Sequence, residues 1–210
     1  MKIDNSIKIR EMMSFESPGD FYLVEIIKRR KDNSEMSRGE DKIKEFYIDS
    51  FEEYDRLVPR IKRMCECEKA RGYFRINKRN YNKIGFKLIR RVTEYMECGD
   101  SRPIRNVFNT IAGEEHSDPD KKWLVDIDWV DFEPEHEITP NMMSGTSKVA
   151  KLIARVIQLQ IESGREPMSE MLPTKNGMHL ICRPFRMDIF KKEFPNVDLH
   201  KDNMTLIFCP

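Results

Sequence analysis

The sequence predicts an α+β protein with mixed or antiparallel sheets and helices packed on one side. Segments with strand composition alternate with segments whose apolar residues recur at helical spacing, and hairpin signals join several of the strands. The clearest is Asn176-Gly177 between two apolar runs, a pair favoured in tight hairpin turns.

The elements follow in order. Residues 1–19 read as a peripheral N-terminal segment ending in the turn-forming Ser17-Pro18-Gly19-Asp20. FYLVEIIKRR (21–30) and IKEFYI (43–48) are rich in strand formers and flank a polar, turn-prone run, which predicts a hairpin. Ser50 followed by Glu53 has the form of a capping box, and Leu57, Val58, Ile61 and Met64 continue as a helical stripe. Pro59 within that stripe should kink the helix or open its second part. GYFRIN (72–77) alternates as a strand, and Ile84, Leu88, Val92 and Tyr95 mark a helix running from Asn80 to near Gly99.

Residues 101–120 are rich in Pro, Gly, Asp and Ser and read as a connection between an N-terminal αβ module (20–100) and a second module (121–210). The second module opens with the strand WLVDID (123–128). A polar loop through Thr139-Pro140 leads to a helix from about Ser147 to Ser163. The Asn-Gly hairpin, a short helix over 187–194 and two short strands around a turn near Asp202-Asn203 complete the chain.

Composition narrows the function classes. With 37 Lys+Arg against 36 Asp+Glu, any basic surface must arise by segregation of charge. The five cysteines, at 65, 67, 98, 182 and 209, follow no paired zinc spacing and read as reduced thiols of a cytoplasmic protein. The N-terminus MKIDNSIKIREMM has no signal-peptide core, and no segment approaches the ~20 apolar residues of a membrane span, so no membrane partner is expected.

Period-two alternation sorts the strands of the second module by face. Leu124, Asp126 and Asp128 share one face of the first strand; His179, Ile181 and Arg183 share one after the Asn-Gly turn; Asp198 and His200 share one in the last segment. Alone, a D-x-D pair describes the solvent face of an antiparallel sheet better than a site. If the polar faces coincide, however, three carboxylates, an imidazole and an arginine converge. Carboxylates so placed repel, and a divalent cation removes the conflict; oxygen donors without thiolate suit Mg²⁺ or Mn²⁺.

In these three segments, LVDID, PTKNGMHLI and VDLHKDNMTLIFCP, the chain resembles the archaeo-eukaryotic primase superfamily, within it the bifunctional primase-polymerase type. The resemblance covers roughly residues 120–210 and implies an RRM-like catalytic core preceded by an αβ module. It implies that Asp126, Asp128 and Asp198 hold the catalytic metals and that His179, helped by Thr174, contacts the phosphates of an incoming nucleoside triphosphate. Lys175, Arg183 and Lys201 are further candidates for nucleotide binding. The third motif departs from the family, with His200-Lys201 in place of an arginine and glycine and Asp202-Asn203-Met204 in place of a Gly-rich turn. Asp202 therefore competes with Asp198 as third ligand. The third motif leads directly to Pro210, and the expectation is a compact stand-alone protein, reminiscent of small phage-encoded ones.

The implied activity is metal-dependent nucleotidyl transfer onto single-stranded or primed nucleic acid. RGYFRINKRNYNK (71–83) sets Arg71, Arg75, Lys78 and Arg79 among aromatics, which suits a nucleic-acid groove and equally a strand and helix with a solvated basic end. Two further readings stand beside the enzyme: an inactive primase-like module that binds nucleic acid or protein, and a metal-dependent nuclease in which water replaces the 3′-hydroxyl.

Overall fold

A computed structural model describes residues 2–37, 39–114, 120–128 and 143–210, with the backbone alone over 143–147. Part of the expected connection (115–119), Trp129 to Asp131 and the expected loop through Thr139-Pro140 lie outside the described residues.

The described residues form an α+β fold of two antiparallel sheets with six α-helices. The strands of the first sheet are β1 (Ile3–Asp4), β2 (Asp20–Arg29), β3 (Glu40–Ile48), β4 (Arg71–Arg75), β5 (Arg79–Asn80) and β10 (Met204–Cys209). Their order is β1-β10-β4-β2-β3, with β5 paired to the start of β2. The second sheet holds β6 (Trp123–Asp128), β7 (Ser169–Pro173), β8 (Gly177–Cys182) and β9 (Asp198–His200), in the order β7-β8-β6-β9. The helices are α1 (Ser6–Met12), α2 (Phe51–Glu68), α3 (Tyr81–Glu97), α4 (Val107–Glu114), α5 (Met143–Glu162) and α6 (Met187–Glu193).

Local side-chain caps start two of the helices. The Ser50 side chain accepts from the Glu53 amide at 3.2 Å to start α2, and Asn80 accepts from the Asn82 amide at 3.1 Å to start α3. The α2 helix runs through Pro59 and buries Tyr54, Leu57, Ile61 and Cys65. Gly177 has a different role from the one its Asn-Gly context suggests. It is the first residue of β8 and does not have positive φ; a Cβ there would stand 1.9 Å from the Ile127 carbonyl oxygen. Close approach of β8 to β6, rather than turn geometry, requires glycine.

Helices cover one face of the second sheet but both faces of the first. On the second, Val125, Ile127, Leu180 and Cys182 pack against Val149, Leu152, Val156 and Leu159 of α5 and Phe190 of α6. In the first, β2 is buried along nearly its whole length. Tyr22, Val24 and Ile26 pack with α1 and α2, while Phe21 and Leu23 pack with α3 and α4. An apolar run of this kind needs cover on both sides, which one-sided helices could not supply.

Three placements differ from the division into modules. The expected connection 101–120 holds α4, whose Val107, Ile111 and Ala112 are buried with Phe21 and Leu23. Residues 2–13 contribute β1 and α1, whose Ile9 is fully buried in the core with Tyr22 and Phe208. Elements of two and seven residues are too short for periodicity to reveal. The final strand, β10, does not form a hairpin with β9 but crosses to the first sheet between β1 and β4. Leu124, Leu172 and Ile181 of the second sheet join the core under the first, so the two sheets share hydrophobic packing. No helix among the described residues is long and apolar enough to cross a membrane.

Candidate active site

Strand β6 is central in its sheet, and its register decides which side chains meet. Asp126 is paired with His179 of β8 on one side and Asp198 of β9 on the other. Directly paired residues project from the same face, so the three form a row across the sheet. Asp128, two residues on, shares that face and lies opposite Gly177.

His179 is held from both sides. Its Nε2 lies 3.5 Å from Asp126 Oδ1 and its Nδ1 lies 2.9 Å from the hydroxyl of Thr205, a buried residue of β10. Burial, reinforced by the charge of His200, pushes the imidazole pKa down to about 4. The ring is therefore neutral near pH 7. A proton on Nε2 directed at the carboxylate, with Nδ1 accepting from Thr205, satisfies both contacts.

A cleft of about 380 Å³ opens between this face and the first sheet. One wall carries Asp126, Asp128 and His179; the other carries Arg29, Lys31 and Arg71 together with Glu40, which pairs with Arg29 at 2.6 Å; the β7–β8 turn adds Thr174 and Lys175. Asp32 ties the basic groups together. Arg71 donates to it through Nε at 2.6 Å and Nη2 at 2.8 Å, and Lys175 Nζ donates at 2.7 Å. The bidentate arginine, aided by Lys175, holds the Asp32 carboxyl down at about 2. Burial, then Arg29 and Arg71, lower the Lys31 pKa, against the opposing pull of Asp32 and Asp128.

The remaining candidates lie elsewhere. Asp198 is exposed on the edge strand, in register with Asp126 but outside the cleft lining. Asp202 is engaged: it accepts from Asn77 Nδ2 at 3.0 Å and from Arg79 Nη2 at 2.8 Å. Arg183 bonds the Glu166 carbonyl and Asp120, each at 3.0 Å, and Lys201 sits over the Trp123 ring at 5.8 Å. Of the segment's four basic candidates Arg71 alone lines the cleft, beside Tyr73 of the same strand. Arg75 lies 3.6 Å from the buried Glu25; Lys78 is buried between Glu16 and Asp20; Arg79 is fully buried. These three are committed to the fold rather than to an open groove.

Arg29, Lys31, Asp32 and Thr205, which line the cleft or hold residues that do, are not marked by the sequence pattern; Arg29 ends a strand run. Asp32 and Lys31 lie in a polar run that reads only as a turn. Thr205 is the one hydroxyl within the apolar strand MTLIFC, a signal available in principle.

The backbone positions of Asp126, Asp128 and Asp198 suit a shared hard cation, since all three present carboxylate oxygens on one face. Their side chains, as placed, are not gathered: among the described residues no group of three or more His, Cys, Asp or Glu could hold a metal ion. The arrangement is a cleft with an acidic wall and a basic wall, able to take a ligand that is both anionic and cation-bearing, such as a metal-complexed polyphosphate. Comparison with protein-family models, curated proteins and solved structures finds no match for this chain.

Proposed function

We propose that the cleft is the active site of a metal-dependent nucleotidyltransferase of the primase-polymerase type, acting on a nucleoside triphosphate and a nucleic-acid strand. The observation that carries this reading is the register of β6, which sets Asp126 between His179 and Asp198 on the face that opens to a basic wall. The second sheet supports it further. Its described elements run β6-α5-β7-β8-α6-β9 with β6 and β8 central, the β-α-β-β-α-β order expected of an RRM-like core.

Asp126, Asp128 and Asp198 would hold Mg²⁺ or Mn²⁺, which when bound acidifies a 3′-hydroxyl and offsets charge on the leaving pyrophosphate. The chain's own groups do the rest. Neutral His179, held by Thr205, orients the Asp126 carboxylate through its Nε2 proton without repelling the metal. Thr174 and Lys175 flank the phosphates from the turn, and Arg71 and Lys31 face them from the first sheet. Replacing Asp126 and Asp128 together with Asn is expected to abolish Mg²⁺- or Mn²⁺-dependent incorporation of nucleotides into a primed or single-stranded template, with circular dichroism and thermal unfolding unchanged. An unaltered incorporation rate would overturn the proposal.

A second reading, nucleotide or nucleic-acid binding without turnover, draws on the ungathered carboxylates. It predicts binding that survives the loss of both aspartates and a wild-type protein that incorporates nothing.

A further inference from the structure

Helix α3 buries one face, through Ile84, Leu88, Val92 and Tyr95, against Phe21 and α4. Its opposite face carries a second apolar stripe, exposed among the described residues. Phe86 is 79% exposed, Ile89 66% and Met96 68%, and exposed Thr93 fills the gap between the last two. The Thr93 hydroxyl donates to the Ile89 carbonyl at 3.0 Å, so its polar group is satisfied within the helix. Positions 86, 89, 93 and 96 are spaced three, four and three apart, the seam of a coiled coil.

We propose that this stripe is the contact of a homodimer in which α3 packs antiparallel against α3 of a second copy. The spacing reads the same in both directions, so an antiparallel twofold sets Phe86 against Met96 and Ile89 against Thr93, each pair occurring twice. Charge selects the same orientation. Lys83, Arg90 and Glu97 recur at intervals of seven along one flank of the stripe. Antiparallel packing brings Lys83 of each copy opposite Glu97 of the other, while Arg90 meets its own equivalent with its charge already paired to Glu94 at 3.0 Å. Parallel packing would instead face this flank with Gly85, Val92 and Gly99, which offer no charge. Gly85 has a further meaning here. Glycine within a helix is unfavourable, yet among the described residues nothing lies within 4 Å of where its Cβ would be. Its absence of a side chain allows close approach of a second helix.

The helix is about 25 Å long, so one such contact buries less than a standard interface and the dimer should exchange in the micromolar range. Exposed ion pairs set its orientation more than its strength. Sedimentation velocity from about 1 to about 300 µM, under reducing conditions because Cys98 is exposed, is the test. The expected result is a concentration-dependent rise from 25.0 kDa toward twice that mass. Ile89→Lys should weaken association by roughly 100-fold. Lys83→Glu or Glu97→Lys alone should weaken it, and the two combined in one chain should restore it. A monomer at every concentration, or a dimer indifferent to Ile89→Lys, overturns the proposal; failure of the combined variant to restore association overturns the antiparallel arrangement.

Discussion

Two arginine-aspartate clusters tie the first sheet to the second, and they differ in their surroundings. At the junction, Arg79 bonds Asp202, the Ala112 and Gly113 carbonyls and the Asn77 carbonyl. Asn77 in turn donates to the Lys122 carbonyl and accepts from the Lys122 amide, directly before β6. Arg79 is fully enclosed. At the cleft, Arg71 and Lys175 share Asp32, also across the two sheets, but Lys175 is 44% exposed and the cluster borders open space. A sealed cluster offers its cation only to partners within the fold, here one carboxylate and three carbonyls. An open one holds cations that an incoming anion can contact.

The sharpest test of that difference is Asp202→Ala. It leaves the Arg79 guanidinium buried without a counter-charge, a situation that typically costs about 3–5 kcal/mol. Three carbonyl acceptors remain, so the lower end is expected, read as a fall in the denaturant midpoint at constant slope. A loss under about 1 kcal/mol would mean that the junction is wetter than its burial indicates.

Asp32→Asn should cost less, about 2 kcal/mol at neutral pH. The sign follows from the depressed carboxyl. Its pKa falls from 3.8 to about 2 on folding, so its contribution is present above pH 4 and is lost as pH falls from about 4 to about 2. Wild type and Asp32→Asn should therefore converge in stability across that window. A difference that stays constant there would show that Asp32 acts through shape rather than charge.

How far these clusters and the site can be read from sequence depends on the range of the interactions involved. Period two alone puts Asp126 and Asp128 on one face, and the strand WLVDID has the same bounds in the structure. The Ser50 and Asn80 caps are equally local. By contrast, Arg71 and Arg79 look alike within RGYFRINKRNYNK, and their fates are set by Asp32, 39 residues earlier, and Asp202, 123 residues later. The same Asp202 contacts explain why the turn near Asp202-Asn203 does not close a hairpin: the carboxylate is drawn to Arg79 and Asn77, and the chain passes on to pair with β4. Alternation could place Asp198 and His200 on one face, but only the observed register makes Asp198, rather than Leu199, the residue opposite Asp126.

The smallest stability change separates fold from function most directly. Lys175 belongs to the open cluster, and its side chain is partly exposed to solvent. Lys175→Met should shift the unfolding midpoint by no more than about 0.5 kcal/mol, as for other exposed ion pairs. The same substitution removes one of the cations facing the proposed phosphates while Arg71 stays bound to Asp32. Binding of inorganic triphosphate in the presence of Mg²⁺, followed by calorimetry, should then weaken by about 10-fold, the scale of one charge-assisted hydrogen bond. A variant that binds triphosphate as wild type does, yet unfolds as readily as Asp202→Ala, would reverse the assignment. Lys175 would then be a structural tie, and the two clusters would differ in exposure without differing in role.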